Sequence, residues 1–124
     1  MNVFNRERRG FSLLEVLIVV IVLSILATFA IPGYREARQR ALDDEARAML
    51  RLIRAAERAY QLERGAYTVC TDTAQCNTRL SLDLPAGEHW GYKVELSGTD
   101  FLGKATHNSK GHQINIESGV LSTF

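Results

Sequence analysis

Residues 11–34 read FSLLEVLIVVIVLSILATFAIPGY, and the basic run Arg6-Glu7-Arg8-Arg9 followed by Gly10 stands directly before them. From Phe11 to Ile31 one side chain, Glu15, carries a charge. At about 1.5 Å rise per residue this stretch makes a helix about 30 Å long, the thickness of a bilayer's hydrocarbon core. A membrane-spanning helix is therefore expected. A secretory signal peptide places its small-residue cleavage site after the apolar core. Here the glycine precedes the core, so a cut after Gly10 would keep the anchor. The arginines favour a cytoplasmic N-terminus, which puts residue 34 onward outside the cytoplasm.

Over 124 residues the mean hydropathy is −0.09, a value that averages two different solvents. One apolar quarter needs lipid or an apolar partner, whereas Tyr34 to Phe124 is ordinary water-compatible sequence with mixed charge. A net charge of +1 gives no general electrostatic case for nucleic acid or an acidic substrate. Removing residues 1–10 would take away Arg6, Arg8 and Arg9 together with Glu7 and leave the chain nearly neutral, so any basic site must be a local patch. Cys70 and Cys76 are the two cysteines, and both follow the spanning segment. That position predicts an extracytoplasmic disulfide. Two free cytosolic thiols are the alternative, and zinc would want tighter pairs and further ligands. Closing so short a loop gains about 2 kcal/mol, so the bond would set local shape.

The leader ending RRG and the run that follows it resemble the class III leader and N-terminal helix shared by type IV pilins and the pseudopilins of type II secretion. The resemblance covers about residues 6–34. It rests on Gly10 closing a basic leader, Phe11 as first mature residue, Glu15 at the fifth mature position, the uninterrupted apolar run, and Pro32 at its far end. It implies cleavage between Gly10 and Phe11 by a prepilin peptidase, which also methylates the new amino group of Phe11. It further implies an inner-membrane assembly platform and homologous pilin subunits as partners in a helical filament. The location implied is the bacterial inner membrane, single-pass with the N-terminus cytoplasmic, and then a cell-surface or periplasm-spanning filament.

A carboxylate in an apolar helix costs a few kcal/mol unless it is paired or reaches the interface. Cleavage would turn the Phe11 amide into an amine with a reference pKa of about 8, and so create a cation. By resemblance, Glu15 pairs with that cation on a neighbouring subunit and sets the axial register. The alternative is a Glu15 favoured by the helix dipole and reaching to the lipid head groups. Pro32 lacks an amide hydrogen and crowds the carbonyl of Thr28, which predicts a helix kink there; ending the helix at the membrane surface is the alternative. Where many family members carry a mid-segment glycine, this chain has Ser24.

Beyond Tyr34, Leu42, Ala46, Met49, Ile53, Ala56 and Tyr60 follow helical spacing, with Leu50 beside them, and predict one helix from about Leu13 to Glu63. Arg40, Arg47, Arg51, Arg54 and Arg58 form a basic face. It is either solvated with helix ion pairs such as Asp43 to Arg47, or a contact stripe for acidic groups or DNA. After Gly65 an irregular loop holding Cys70, Cys76, Asn77 and Pro85 is expected, followed by strands: Tyr92, Val94 and Leu96; Phe101 to Thr106; Gln113 to Glu117 after a turn at Asn108 to Gly111; and Val120 to Phe124. The fold class is α+β, a long N-terminal helix, first half transmembrane and second half amphipathic, packed on a small antiparallel sheet of three or four strands, as in pilins. The expected divisions are a leader (1–10), a filament-core helix (11–33), its amphipathic continuation (34–64) and a loop-plus-sheet head (65–124).

Trp90 is expected to be a core or loop anchor. His89, His107 and His112 fall in loop or strand-edge positions without a spaced carboxylate or Cys, so no enzyme, cofactor or metal site is predicted. Asp72, Asp83 and Asp100 are scattered and do not form a calcium loop. The functional expectation is a structural subunit, minor or major, of a type IV pilus. A type II secretion pseudopilin is the first alternative, and the loop disulfide favours the pilus because major pseudopilins commonly lack one. A single-pass membrane protein whose head binds or senses, without polymerising, is the second.

Overall fold

The computed structural model describes residues 10–87 and 89–124. The elements are α1 (Leu13–Arg64), α2 (Thr73–Leu80), β1 (Gly91–Ser97), β2 (Asp100–His107), β3 (Lys110–Asn115) and β4 (Leu121–Thr123). The chain divides into two compact units, one ending at Gln39 and the other running from Arg40 to Phe124.

In the first unit α1 carries an 18-residue window of mean hydropathy 2.9, and none of that window is buried. Two hydroxyls in its apolar stretch bond within the helix: that of Ser24 donates to Val20 O at 2.7 Å and that of Thr28 to Ser24 O at 3.0 Å. An apolar solvent therefore meets both hydroxyls already satisfied. The helix runs on through Pro32, so the proline does not terminate it.

In the second unit α1 buries Ala46, Leu50, Ile53 and Glu57, at steps of four, three and four. Leu50 is therefore central to the stripe, not beside it. The sheet has the order β1-β2-β3-β4 with every pair antiparallel. Its helix-facing side is built from two cross-strand rows, Tyr92–Ala105–His112–Thr123 and Val94–Gly103–Ile114–Leu121. Gly103 lies in a tight spot of this core: a Cβ there would come 3.1 Å from Ile114 Cγ2 and 3.6 Å from Ile53 Cγ2 of the helix. Fully burying a Leu or Ile side chain such as Leu50, Ile53 or Ile114 contributes about 1.5–3 kcal/mol each, which fixes this face of the helix to the sheet.

The α+β layout is the one expected, with four corrections. The segment between the cysteines is not an irregular loop, because Asp72 caps α2 there: its Oδ1 accepts from Gln75 N at 2.8 Å. β3 starts at Lys110, not Gln113, because His107 pairs with Lys110 across a two-residue turn opened by Asn108 at φ 53°, which leaves Gly111 in the strand opposite Thr106. Leu96 does not join the buried set and stays 56% exposed, since its partner Phe101 packs against Tyr67, ring centroids 5.2 Å apart. His112 is not at a loop edge; it is 7% exposed within β3.

Candidate functional site

Gly10, Phe11, Ser12 and Glu15 line one shallow depression of about 490 Å³ at the start of α1. The helix opens where Val16 N donates to Ser12 O at 3.2 Å, and Glu15 lies in the first turn, where free backbone N–H groups and the positive end of the helix dipole favour a carboxylate. Phe11 precedes α1 and Glu15 lies in its first turn, and both border this depression. The leader residues Arg6, Glu7, Arg8 and Arg9 lie outside the described residues.

From this depression onward the helix shows an apolar surface on every side, with Leu17 53%, Ile21 51% and Leu26 59% exposed. A patch this long far exceeds the few hundred Å² that soluble monomers tolerate.

In the head, Cys70 and Cys76 form a disulfide with Cα atoms 5.1 Å apart. Cys70 also bridges to β1, donating to Val94 O at 3.0 Å and accepting from Val94 N at 2.9 Å. The bond thus ties α2 to the outer edge of the sheet. Trp90 is an anchor, 4% exposed, with its indole N–H donating to Leu42 O at 2.9 Å. Its ring also lies against His112, centroids 5.4 Å apart, and His112 Nε2 is 3.5 Å from Asp43 Oδ1.

The basic face does not act as one surface. Arg54 turns inward and donates to Ile116 O at 3.0 Å and Glu117 O at 3.1 Å. Arg47 reaches Asp44 at 3.5 Å, and with Arg51 it lines a second depression that includes His112 and Ser122. On the solvent side of the sheet, hydrogen bonds from Lys104 and Lys93 hold the Glu95 carboxyl below the usual carboxylate range.

Glu57 was missed in the sequence. It is fully buried, and its Oε2 accepts from Thr68 N at 2.9 Å. Burial pushes its carboxyl above the ordinary 4.5, against the opposing pull of the Thr68 bond. The detectable signal was its place one helical step beyond Ile53. Among the described residues no group of three or more His, Cys, Asp or Glu could hold a metal.

A family model described as the prokaryotic N-terminal methylation motif matches residues 5–31. The chain is 31% identical over 97 residues to the type IV major pilin protein PilA of Myxococcus xanthus, covering 78% of this chain and 41% of that protein. To the type IV major pilin protein PilE1 of Neisseria gonorrhoeae it is 29% identical, over 97% of this chain and 64% of the relative. To the type II secretion system core protein G of Pseudomonas aeruginosa it is 27% identical, over 74% of this chain and 67% of the relative. The chain spans from about two-fifths to two-thirds of the length of these relatives. No solved structure matches the chain significantly. Motif, relatives and fold together support a type IV pilin-like protein.

Proposed function

We propose that the chain is a subunit of a type IV pilus, cut between Gly10 and Phe11, methylated on the new amine and polymerised through the first half of α1. The carrying observation is the pairing of an unburied apolar helix with one carboxylate, Glu15, a single turn from the cleavage position. Such a surface is soluble in lipid and equally in a bundle of identical helices, so the same segment serves as anchor before assembly and as filament core after it. Glu15 fixes the axial step by pairing with the Phe11 ammonium of a neighbour, Pro32 bends the helix near the membrane surface, and the disulfide shapes the head. The anchored form has its N-terminus in the cytoplasm and its head outside, and its processing partners are a prepilin peptidase and an inner-membrane platform.

The similarity to core protein G supports a second use, as a pseudopilin of type II secretion, since both filaments employ the same anchor chemistry. Deleting the gene and scoring surface filaments beside exoprotein secretion separates the two. Intact-mass measurement of the membrane-extracted chain tests what they share. The expected product starts at Phe11 and carries one extra methyl group; a chain still holding residues 1–10 would identify a non-polymerising membrane protein instead.

A further inference from the structure

We propose that the groove between α1 and the outer edge of β4 receives an extended acidic segment of another protein, which adds to the sheet as a further strand and sets its carboxylates on Arg47 and Arg51. β4 ends the sheet and pairs with β3 alone. A depression of about 400 Å³ is lined by Arg47 and Arg51 of α1, by His112, and by all three residues of β4, Leu121, Ser122 and Thr123.

The two edges of the sheet differ. At β1, Val94 exchanges both backbone hydrogen bonds with Cys70, and the disulfide holds that cover in place. At β4 no segment among the described residues does the same. Gly111 and Phe124 exchange bonds of 3.2 and 3.0 Å, and Asn115 N donates to Val120 O at 3.0 Å. Antiparallel pairing alternates, so Leu121 and Thr123, opposite Ile114 and His112, direct their N–H and C=O groups away from β3. Each of the two thus offers a donor and an acceptor to an added strand. Arg54 holds this edge beside the helix. Its bonds to Ile116 O and Glu117 O clamp the turn leading into β4, and its guanidinium lies against Gly119, where a Cβ would meet Cζ at 2.7 Å.

So short an edge selects no sequence by itself, and the flanking charges decide which strand it takes. Arg54 binds the turn before β4 while Arg47 and Arg51 line β4 itself, so this flank of α1 follows the strand. Arg47 and Arg51 are about 6 Å apart along the helix axis, and side chains on one face of an extended strand recur about every 7 Å. Acidic residues two apart on an added strand therefore meet one guanidinium each. Arg51 has no ion-pair or hydrogen-bond partner among the described residues. Arg47 meets Asp44 at 3.5 Å, an exposed pair of a kind that contributes at most about 1 kcal/mol and exchanges readily. Asp43 is turned to His112 Nε2, 3.5 Å away. A basic strand is repelled here, and an apolar one leaves both guanidinium groups unmatched. Nucleic acid matches the charge but brings no peptide groups to the open edge.

The full chain in zwitterionic detergent would be titrated into the fluorescein-labelled peptide TEVEVET and binding followed by anisotropy. Two control peptides separate charge from strand addition. TKVKVKT reverses the charge, and TEVEVET methylated on the backbone nitrogens of its five central residues keeps every carboxylate but loses the amide donors of both strand edges. The acidic peptide should half-saturate at about 10–100 μM and neither control by about 1 mM. Arg51→Ala, an exposed change, should raise half-saturation about tenfold. Thr123→Pro removes an N–H that points away from β3, so the ladder survives while strand addition is lost. Both variants would be checked for an unchanged unfolding midpoint. Equal binding of either control, unchanged binding in Arg51→Ala, or displacement of TEVEVET by an equimolar oligothymidylate would overturn the proposal. Self-association of the chain alone, measured by sedimentation and abolished in Arg51→Ala, would put a second copy in the groove and overturn it as well.

Discussion

Glu57 occupies a helix position that hydrophobic spacing assigns to the core, and the side chain there is a carboxylic acid. It is held because Thr68, in the segment that leaves α1, donates its backbone N–H to Oε2, while Oε1 has no partner among the described residues. A buried carboxylate satisfied at one oxygen is better accommodated protonated. The sign of the pH effect follows. Above the ordinary 4.5 the unfolded chain has released this proton and the folded chain retains it, so stability falls as pH rises from about 4.5 toward the raised folded value. Glu95, held down by two lysines, contributes the opposite slope, and a variant is needed to isolate Glu57. Glu57→Gln should remove this part of the pH dependence and stabilise the head at pH 7, while changing little below the unfolded value. Denaturant unfolding followed by Trp90 emission at several pH values checks this; equal slopes for variant and parent would mean Glu57 is ionised when folded. In the sequence this residue was hidden by its type: a charged side chain between Ala56 and Arg58 is assigned to water, and only the loop returning over it makes its burial tolerable.

The elements divide by how local their causes are. α1 was legible almost to the residue, from about Leu13 to Glu63 expected against Leu13–Arg64 found, since apolar run, stripe and closing Gly65 all lie within the segment itself. The strand faces were half legible. Alternation located Tyr92 and Val94, but whether Leu96 is covered depends on where Phe101 and Tyr67 meet, which no short window contains. The second helix was missed although its signal is present: Asp72 followed three residues later by Gln75 is a capping pattern, in which Asp72 accepts from Gln75 N and Gln75 Oε1 accepts from Thr71 N at 2.9 Å. With only eight residues, α2 needs both the cap and the disulfide, because an isolated helix of that length is not stable in water. Asp72→Ala should therefore destabilise the head by about 1 kcal/mol. Replacing both cysteines by serine should cost about 2 kcal/mol. Combining the changes should cost less than the sum, since both act on one element. Unfolding midpoints of the three variants check this, and strict additivity would show that cap and disulfide support separate parts of the head.

On the scale of the whole molecule, the second unit accounts for its own apolar surface and the first does not. The sheet and the second half of α1 bury each other, whereas none of the window of mean hydropathy 2.9 in α1 is buried among the described residues. Apolar contact alone is indifferent to how far one helix slides along another, so a filament of defined step needs a directional contact inside that surface. Glu15 is the one charged side chain between Phe11 and Ile31, and the hydroxyls of Ser24 and Thr28 are spent within the helix. If it pairs with the Phe11 ammonium of a neighbour, Glu15→Leu leaves that cation unmatched in an apolar core, at about 2.5–3.5 kcal/mol, or about a hundredfold in incorporation. Membrane insertion should be unchanged or slightly improved. Glu15→Gln keeps the size and the hydrogen-bonding oxygen at the helix start but not the charge, and should lose incorporation to a similar degree. Quantifying each variant in the membrane fraction and in sheared filaments reads both effects. Normal assembly by the Gln variant would assign Glu15 to capping the helix, and normal assembly by the Leu variant would remove it from the register altogether.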